Sequence, residues 1–528
     1  MTQIDYLIVG AGSAGCVLAN RLSENGRHRV LLLEAGPEDR YLWIHIPIGY
    51  GKTMFHPRYN WGFETDPDPH MDGRRLYWPR GKGLGGSSSI NGLIYVRGQP
   101  EDYDHWRALG NEGWGWKDVL PAFIRMEHNT RGASEFHGAD GPQWCSDIGV
   151  KHELMDAIIG AGEELGVPRN DDFNGASQEG VGYYQLFTRR GWRCSAAVGY
   201  LRPARKRANL EVRTGARATR VLFEGMRAVG VEYVQGGETR TVRAREVILA
   251  AGAIQSPQLL MLSGVGRGGH LQEHGIPVVA DLPGVGGNLQ DHLQLRLIYK
   301  VSKPITTNDQ LASLAGRVRM GLDWIVSRKG PLAVGINQGG LFARLMPEAK
   351  TPDIQFHFAT VSAEVAGGAP HPWSGCTFSV CQLRPESRGT IRLASRDPLA
   401  APSIQSNYLS TEVDRRYAIE SLRYARRLAA TRALAPYLSE EYRPGHAAQS
   451  DDELLGFARQ YGQTIFHPSG TCRMGSDALA VVDSQLRVRG VEALRVVDCS
   501  IMPTLVSGNT HAPAVMIGEK AAEMILRA

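Results

Sequence analysis

Residues 6–36 read YLIVGAGSAGCVLANRLSENGRHRVLLLEAG, and this stretch decides the fold. An apolar run ends in the glycine turn 10–15, a helical pattern follows, and a second apolar run ends at Glu34. Strand, glycine turn, helix, strand and acid in this order are the fingerprint of a dinucleotide-binding βαβ unit. The stretch therefore predicts an α/β fold with a parallel, Rossmann-like sheet.

Each glycine of the turn has a predicted physical role. Gly10 allows the tight turn, Gly12 lets the backbone approach a pyrophosphate, and Gly15 lets the helix pack closely on the strand. The pyrophosphate would lie at the helix N-terminus, where free N–H groups and the helix dipole favour negative charge. Glu34 would accept hydrogen bonds from the adenosine ribose. The alternative is an ordinary glycine-rich turn, which would not require the second strand and the acid.

The composition is typical of a soluble globular protein with more than one domain. The chain has 528 residues, of which 42% are hydrophobic and 21% charged. Its net charge of +5 is small for a surface of this size and gives no reason to expect nucleic acid as a partner. The seven cysteines are scattered without a CxxC pair, so we expect no disulfide framework and no metal site. Such cysteines fit a reducing compartment.

The ends and the apolar runs of the chain bear on its location. The sequence enters a predicted strand almost at once, so no signal peptide is expected. No run of about 18 apolar residues predicts a transmembrane helix. We therefore expect a cytoplasmic protein, and peripheral contact with a membrane stays open.

The remaining strands predict two sheets. Strands at 209–213, 218–223, 228–234 and 246–249 would form a second piece of the parallel sheet. Residues 494–498 predict another short buried strand. The final stretch, 513–528, has helical periodicity.

The sequence pattern is different in the middle of the chain. Short strands at 354–358, 377–380 and 389–393, with a helix at 412–432, predict a separate antiparallel sheet with helices on one face. The fold would then be α+β overall. The predicted dinucleotide-binding domain is discontinuous (1–155, 195–295 and 465–528), and the predicted substrate domain comprises 156–194 and 296–464.

Four blocks of sequence resemble the glucose-methanol-choline (GMC) oxidoreductases. Besides the N-terminal fingerprint, residues 81–91 read GKGLGGSSSIN, residues 252–266 read GAIQSPQLLMLSGVG, and residues 467–475 read HPSGTCRMG. The blocks follow the family's order and span nearly the whole chain. Within the family the sequence looks most similar to bacterial FAD-dependent alcohol dehydrogenases and then to choline dehydrogenases. The resemblance implies an FAD-binding domain joined to a substrate domain.

The resemblance also implies which residues hold the cofactor. In some members a histidine of the second block bonds covalently to the flavin, whereas this chain carries Ile90 there, so non-covalent FAD is expected. The residues expected to bind FAD are Gly10, Gly12, Ser13, Ala14, Gly15, Glu34, Ala35, Trp78, Arg80, Gly81, Gly85, Gly86, Ser87, Asn91, Gly92, Ala218, Ala251, Gly252, Asp498, Ala512 and Pro513.

The resemblance places the catalytic base at His467. Its paired position is histidine in some members and asparagine in others, and this chain offers both Asn509 and His511, so both are candidates, with His511 the expected partner. An imidazole suits removal of a hydroxyl proton near neutral pH, while the hydride would pass to flavin N5. A helix starting near Pro513 would direct its N-terminal N–H groups at the reduced flavin.

One departure from the family bears on the substrate. Choline-oxidising members resemble Glu-x-Gly-Gly-Phe where this chain reads Asn337-Gln-Gly-Gly-Leu341, so an amide replaces the carboxylate that would meet a trimethylammonium group. Alternatively, Asn337 is a loop residue without a ligand. The expected substrate is a neutral primary alcohol, aliphatic or aromatic, next to Asn337, Ile465 and Phe466.

Other functions stay open at this point. One alternative is a choline or other amino-alcohol dehydrogenase, and another is a hydroxynitrile lyase, which keeps FAD without net redox chemistry. The electron acceptor could be a quinone, another carrier or oxygen.

Overall fold

The computed structural model describes residues 3–527. Its helices are α1 (Ser13–Ser23), α2 (Leu42–His45), α3 (Tyr50–Thr53), α4 (Pro100–Ala108), α5 (Trp116–Met126), α6 (Glu153–Glu164), α7 (Arg202–Ala204), α8 (Gly252–Leu262), α9 (Gly268–Glu273), α10 (Thr307–Ala312), α11 (Leu314–Ser327), α12 (Glu412–Ala429), α13 (Asp451–Tyr461) and α14 (His511–Arg527). Residues 1, 2 and 528, which the predicted domains and the predicted final helix include, lie outside the described residues.

The strands are short apart from those of two large sheets. They are β1 (Ile4–Val9), β2 (Val30–Glu34), β3 (Phe63–Glu64), β4 (Tyr77–Trp78), β5 (Glu127–Asn129), β6 (Gln143–Cys145), β7 (Gly180–Tyr183), β8 (Thr188–Arg189), β9 (Trp192–Arg193), β10 (Leu210–Thr214), β11 (Ala216–Glu224), β12 (Arg227–Gln235), β13 (Glu238–Leu249), β14 (Val265–Gly266), β15 (Ala280–Asp281), β16 (Leu293–Val301), β17 (Asn337–Ala343), β18 (Ile354–Ala359), β19 (Gly375–Gln382), β20 (Thr390–Arg392), β21 (Ser403–Gln405), β22 (Leu438–Arg443), β23 (Gln463–Thr464) and β24 (Leu494–Val496).

The first sheet contains the βαβ unit that the fingerprint predicts. β1 lies between β2 and β13 and runs parallel to both, β10 runs parallel to β2, and β24 runs parallel to β13. Val9 at the end of β1 is level with Leu33 and Leu249. The carboxyl ends of these strands therefore meet at one edge, where ligands bind in open parallel sheets. The predicted α/β fold class is confirmed.

Two strands of this sheet differ from the prediction. β11, β12 and the first half of β13 form an antiparallel meander, whereas a parallel extension was expected through 218–223 and 228–234. That expectation is wrong because only two residues separate each pair of strands, and such short turns can join only antiparallel neighbours. Gly236 and Gly237 both have positive φ in the second turn, as a tight hairpin turn of this kind requires.

The second sheet is antiparallel, as expected for the middle of the chain. Its order is β22-β16-β19-β18-β17-β7, with β23 also paired to β16. Helices α6 and α12 contact each other and pack on this sheet. The predicted strand at 389–393 is not part of it, because β20 pairs with β21 in a separate two-stranded sheet. The predicted domain division stays a prediction, and its boundary at 295/296 falls inside β16.

The last helix packs the C-terminal part of the chain against α1, the helix of the fingerprint segment. α14 begins at His511, two residues before the predicted start, and packs along α1. The helices approach closely at Gly518, where a Cβ atom would lie 2.9 Å from the Cβ of Val17. All seven cysteine thiols are free. Within residues 3–527, none of the helices has both the length and the apolar character needed to span a bilayer.

Candidate active site

A cavity of about 940 Å³ lies between the two sheets. From the first sheet it takes residues at the carboxyl ends of the strands, among them Gly10 after β1 and Glu34 at the end of β2. From the second sheet it takes alternate residues, such as His357 and Ala359 of β18. Because successive side chains of a strand point to opposite faces, one face of the second sheet forms a wall of the cavity.

The N-terminus of α1 opens into the cavity. Gly12, Ser13 and Ala14 line it, and no side chain caps the helix at Gly12. The first N–H groups of a helix have no partner within the helix, so these groups can bind an anion. Gly15 does not line the cavity. A Cβ atom there would lie 1.9 Å from the carbonyl oxygen of Gly10, which is the close helix–strand contact expected at this position.

Glu34 has a second role that the sequence did not indicate. Its carboxylate accepts hydrogen bonds from the backbone N–H groups of Ala11 (2.8 Å), Gly36 (2.7 Å) and Gly83 (3.0 Å). Burial raises the pKa of this carboxyl, and the three N–H donors oppose the rise. Glu34 therefore joins three separate loops at the strand ends while it also lines the cavity.

Asp498 also joins separate loops through hydrogen bonds, at the other side of the sheet. Its carboxylate accepts hydrogen bonds from the backbone of Gly252 (2.8 Å) and Ser500 (2.8 Å) and from the hydroxyl of Ser256 (2.6 Å). Burial raises its pKa. The start of α8 and the loop after β24 are thus held together beside the cavity.

Most of the expected cofactor residues come together here. Those that line the cavity are Gly10, Gly12, Ser13, Ala14, Glu34, Ala35, Arg80, Gly81, Gly86, Ser87, Asn91, Gly92, Ala218, Ala251, Gly252 and Asp498. An uncapped helix N-terminus beside two carboxylates, in one cavity, fits a dinucleotide with a pyrophosphate and a ribose.

Five expected residues lie behind the cavity wall. Trp78 is a correction, because its indole is 1% exposed and packs 6.4 Å from the ring of Tyr408 in the core. Gly85 has positive φ and shapes the loop before Gly86. The other three are Gly15, Ala512 and Pro513, of which the last two are buried in the first turn of α14.

The candidate base sits in a chain of hydrogen bonds. His467 is 6% exposed and lines the cavity. Its Nδ1 lies 3.0 Å from Nδ1 of His292, whose Nε2 lies 2.9 Å from the carbonyl oxygen of Leu383. On the other side, Nδ2 of Asn509 lies 3.2 Å from Nε2 of His467.

This series of hydrogen bonds determines which nitrogen of each imidazole carries the proton. A carbonyl oxygen only accepts, so His292 carries its proton on Nε2 and its Nδ1 accepts the proton of His467 Nδ1. Both imidazoles are neutral, because burial lowers the pKa of His292 to about 4 and lowers the pKa of His467 well below its usual value. The Nε2 atom of His467 therefore carries no proton, and its electron pair faces the N–H donor of Asn509 at 3.2 Å.

The structure corrects the expected pairing of His467 with His511. Nδ1 of His511 lies 2.9 Å from the hydroxyl of Ser13, and its ring packs edge-on against Phe187. Its Nε2 has no hydrogen-bond partner within the described residues, and burial lowers its pKa to about 3. Because α14 begins at His511, this side chain points to the fingerprint loop, and Asn509, two residues earlier, contacts His467.

A buried carboxylate holds the backbone beside the base. Asp291 accepts hydrogen bonds from the backbone N–H of His467 (2.7 Å) and from the hydroxyls of Tyr408 and Thr464. Burial raises the pKa of Asp291 to about 6. Phe466 has a φ of 72°, a conformation that is strained for a bulky side chain and that is concentrated at functional sites.

The sequence analysis missed three side chains of this cluster. Gln355 donates to the amide oxygen of Asn509 (3.2 Å), and buried His357 lines the cavity beside Asn509. Their signal was available, because two polar residues alternate with apolar ones in strand 354–359. His292 could have been found from its place beside Asp291, where two titratable residues directly precede an apolar strand.

The substrate side of the cavity carries no acidic residue. The expected substrate residues Asn337, Ile465 and Phe466 all line the cavity. Of the described residues that line it, only Glu34 and Asp498 are acidic, and both bind backbone N–H groups at the first sheet. Several apolar side chains line the cavity too, including Trp43, Met54, Leu311, Met320, Val334 and Val361.

The comparisons with known proteins agree with this geometry. Family models described as GMC oxidoreductase match residues 4–294 and residues 385–518. The chain belongs to the GMC oxidoreductase family. It is therefore an FAD-dependent oxidoreductase that acts on CH–OH groups.

Its relatives within the family include enzymes for several substrates. The chain is 46% identical to "Alcohol dehydrogenase [acceptor]" of Pseudomonas putida, over 99% of this chain and 96% of that one. It is also 46% identical to the mitochondrial choline dehydrogenase of Homo sapiens, over 99% and 90% of the two chains. A solved structure of Aspergillus oryzae formate oxidase, in a study of FAD modification, superposes with a TM-score of 0.93 at 26% identity, over 100% and 99% of the chains. The names of these relatives give different substrates, so the substrate must be inferred from the cavity.

Proposed function

We propose that this GMC oxidoreductase oxidises a neutral primary alcohol, with His467 as the base that removes the hydroxyl proton. The observation that carries the proposal is the unprotonated Nε2 of His467, which faces the N–H donor of Asn509 in the cavity. An alcohol oxygen that binds beside both groups and replaces the contact between Asn509 and Nε2 would give its proton to the imidazole and receive a hydrogen bond from the amide. FAD, when bound, supplies the acceptor for the hydride that leaves the alcohol carbon.

The residues around the base support a neutral imidazole at physiological pH. Burial is the main cause of the lowered pKa of His467, and the positive charges that His292, His357 and Arg80 would carry add to it. The proton that His467 takes would pair with the negative charge that develops on the substrate oxygen, and this pairing offsets the cost of charging a buried ring.

Residues at the edge of the first sheet would bind FAD. The N–H groups at the start of α1 would bind the pyrophosphate, and Glu34 would accept hydrogen bonds from the ribose. The helix α14 points its N-terminus, with the buried His511, toward the same loop, and a partial positive charge at a helix N-terminus favours an anionic ligand. Ile90 lines the cavity without a nucleophilic group, which supports non-covalent binding.

The charges in the cavity support a neutral substrate. Asn337 lies where choline-oxidising relatives are expected to have a carboxylate, and Arg296 also lines the cavity. Burial lowers the pKa of Arg296 to about 10, so this side chain stays cationic at neutral pH. A quaternary ammonium ion would lose its hydration in such a cavity without gaining an ion pair.

The second candidate is a choline or other amino-alcohol dehydrogenase. It is favoured by the 46% identity to the choline dehydrogenase of Homo sapiens. Whether the electrons pass to a quinone, another carrier or oxygen does not affect the choice between the two candidates.

Anaerobic reduction of the bound flavin tests the proposal directly. Neutral primary alcohols should bleach the visible flavin band, and His467→Ala should slow this step about 10²- to 10⁴-fold. Asn509→Leu should slow it about 10²-fold, the usual loss for one donor to a developing oxyanion. The matched control is His511→Asn, which should stay within about tenfold of the wild type because His511 contacts Ser13 rather than the base.

The order of the variants decides the assignment. If His467→Ala retains FAD and is reduced at the wild-type rate, His467 is not the base. If no alcohol reduces the wild-type flavin, the enzyme is not an alcohol oxidoreductase of the kind proposed.

A further inference from the structure

Helix α11 exposes an apolar stripe to solvent. Its large apolar side chains recur at the three- and four-residue spacing of one helix face, and each is between 53% and 82% exposed. Met320 and Trp324, on the side of the helix that faces the protein, are buried. The stripe, which we name the α11 patch, consists of Leu314, Val318, Leu322, Ile325 and Val326.

Basic side chains that form no ion pair flank the α11 patch. Trp324 donates to the backbone of Gly191 at 3.0 Å, which holds the β8–β9 turn against the end of α11. The guanidinium of Arg328 lies over the Trp324 ring at 4.3 Å, and one of its nitrogens is buried without a partner. Across residues 3–527, no carboxylate lies within ion-pair distance of the basic rim, which consists of Arg189, Arg190, Arg317, Arg319, Arg328 and Lys329.

α11 is also a thin wall of the active-site cavity. Arg317, Met320 and Gly321 line the cavity, so a single helix separates it from the α11 patch. The helix has 14 residues and is therefore about 21 Å long. A partner that binds the α11 patch would therefore lie one helix away from the substrate side of the cavity.

We propose that α11 lies on the surface of an anionic lipid bilayer. The α11 patch enters the boundary between headgroups and acyl chains, and the basic rim binds lipid phosphates, as in an interfacial amphipathic helix. A second copy of the chain fits this surface less well. A two-fold contact through α11 would place the same unpaired cations opposite one another, and like charges repel. If the proposed function holds, an apolar alcohol dissolved in the bilayer would reach the cavity beside α11.

Vesicle binding by the FAD-loaded protein tests the proposal without measuring turnover. The protein should float with vesicles of phosphatidylcholine mixed with phosphatidylglycerol, bind vesicles of phosphatidylcholine alone much less, and be released by salt. The double variant Leu322→Glu/Ile325→Glu should lose binding at least tenfold. Arg319→Gln and Lys329→Gln should each weaken it about fivefold, since one cation near such a surface contributes ~1 kcal/mol.

Matched variants elsewhere on the protein serve as controls. Leu479→Glu replaces an exposed apolar residue, 52% exposed, outside α11, and Lys206→Gln removes an exposed cation outside the basic rim. Both should bind as the wild type does. None of these substitutions touches a cavity residue, so reduction by a short, water-soluble alcohol should not change.

Three results would overturn the proposal. One is a wild-type protein that stays unbound to anionic vesicles, and another is binding that the α11 variants leave unchanged. The third is a dimer in lipid-free sedimentation that Leu322→Glu dissociates while vesicles bind neither protein, because a second copy would then cover the patch. Failure of the proposed function would instead appear only in the flavin reduction assay.

Discussion

Replacing His292 by leucine tests how the proposed base, His467, is held in its reactive tautomer. In the structure, His292 accepts the Nδ1 proton of His467, and this leaves the electron pair on Nε2 in the cavity. Leucine accepts nothing, so a buried N–H of His467 would lose its partner. The ring can avoid this loss by moving its proton to Nε2, but that tautomer cannot remove a substrate proton.

The magnitude follows from the cost of one buried, unpaired donor. That cost is about 1–3 kcal/mol, and it is the part of the preference for the competent tautomer that His292 supplies. Its loss corresponds to a decrease of about 5- to 150-fold in the rate of flavin reduction. FAD content should not change, because His292 lies outside the residues around α1 and Glu34. The pH at which the rate declines in acid should change little, since burial is the main cause of the low pKa of His467.

Two comparisons separate tautomer control from a general loss of structure. His292→Asn keeps an acceptor near the Nδ1 position and should recover most of the rate that His292→Leu loses. The deficit of His292→Leu relative to the wild type should also be smaller for fluorinated alcohols, whose hydroxyl protons are removed more easily. If His292→Leu is loaded with FAD and reduced at the wild-type rate, the hydrogen-bond chain does not prepare the base.

Three further predictions concern the cofactor and the substrate. Glu34→Gln should weaken FAD binding by about 1–3 kcal/mol, because an amide cannot accept from all three backbone N–H groups and a charge-assisted hydrogen bond is lost. Dialysis titration measures the affinity for FAD, and an unchanged affinity would contradict this prediction. Acid precipitation should release FAD into the supernatant, because Ile90 offers no group for a covalent bond, and flavin that stays with the chain would refute this. Neutral alcohols should have a higher kcat/KM than choline, and Asn337→Glu should shift the ratio toward choline; a wild-type preference for choline would favour the second candidate.

The sequence predicted the first sheet well where local signals sufficed. The fingerprint of residues 6–36 combines turn, helix and strand signals, and the structure has β1, α1 and β2 almost where they were expected. Strand direction was harder, because β11 and β12 have the same apolar pattern as parallel strands. Only the length of their turns distinguishes the two cases, and the Gly-Gly turn at 236–237 was the available signal.

The candidate site was also predictable only where local sequence signals were enough. His467 lies in a recognisable block of sequence, whereas its partner depends on where α14 begins, and a shift of two residues exchanges His511 for Asn509. His292 and Leu383 could not be paired with His467 from the sequence. They come from strand ends that are far apart in the chain and meet only when β16 pairs with β19 and β23.

The strained backbone at Phe466 connects the fold to the chemistry. Holding a bulky residue in the left-handed region costs about 1–3 kcal/mol, and such a conformation persists only where neighbouring contacts enforce it. Asp291 makes those contacts, because its carboxylate binds the hydroxyl of Thr464 on one side of Phe466 and the backbone of His467 on the other. The next residue along, His292, then accepts from the imidazole itself. Two adjacent residues just before β16 thus set both the backbone position and the tautomer of the proposed base, which explains why a buried carboxylate that lies outside the cavity lining stands beside it.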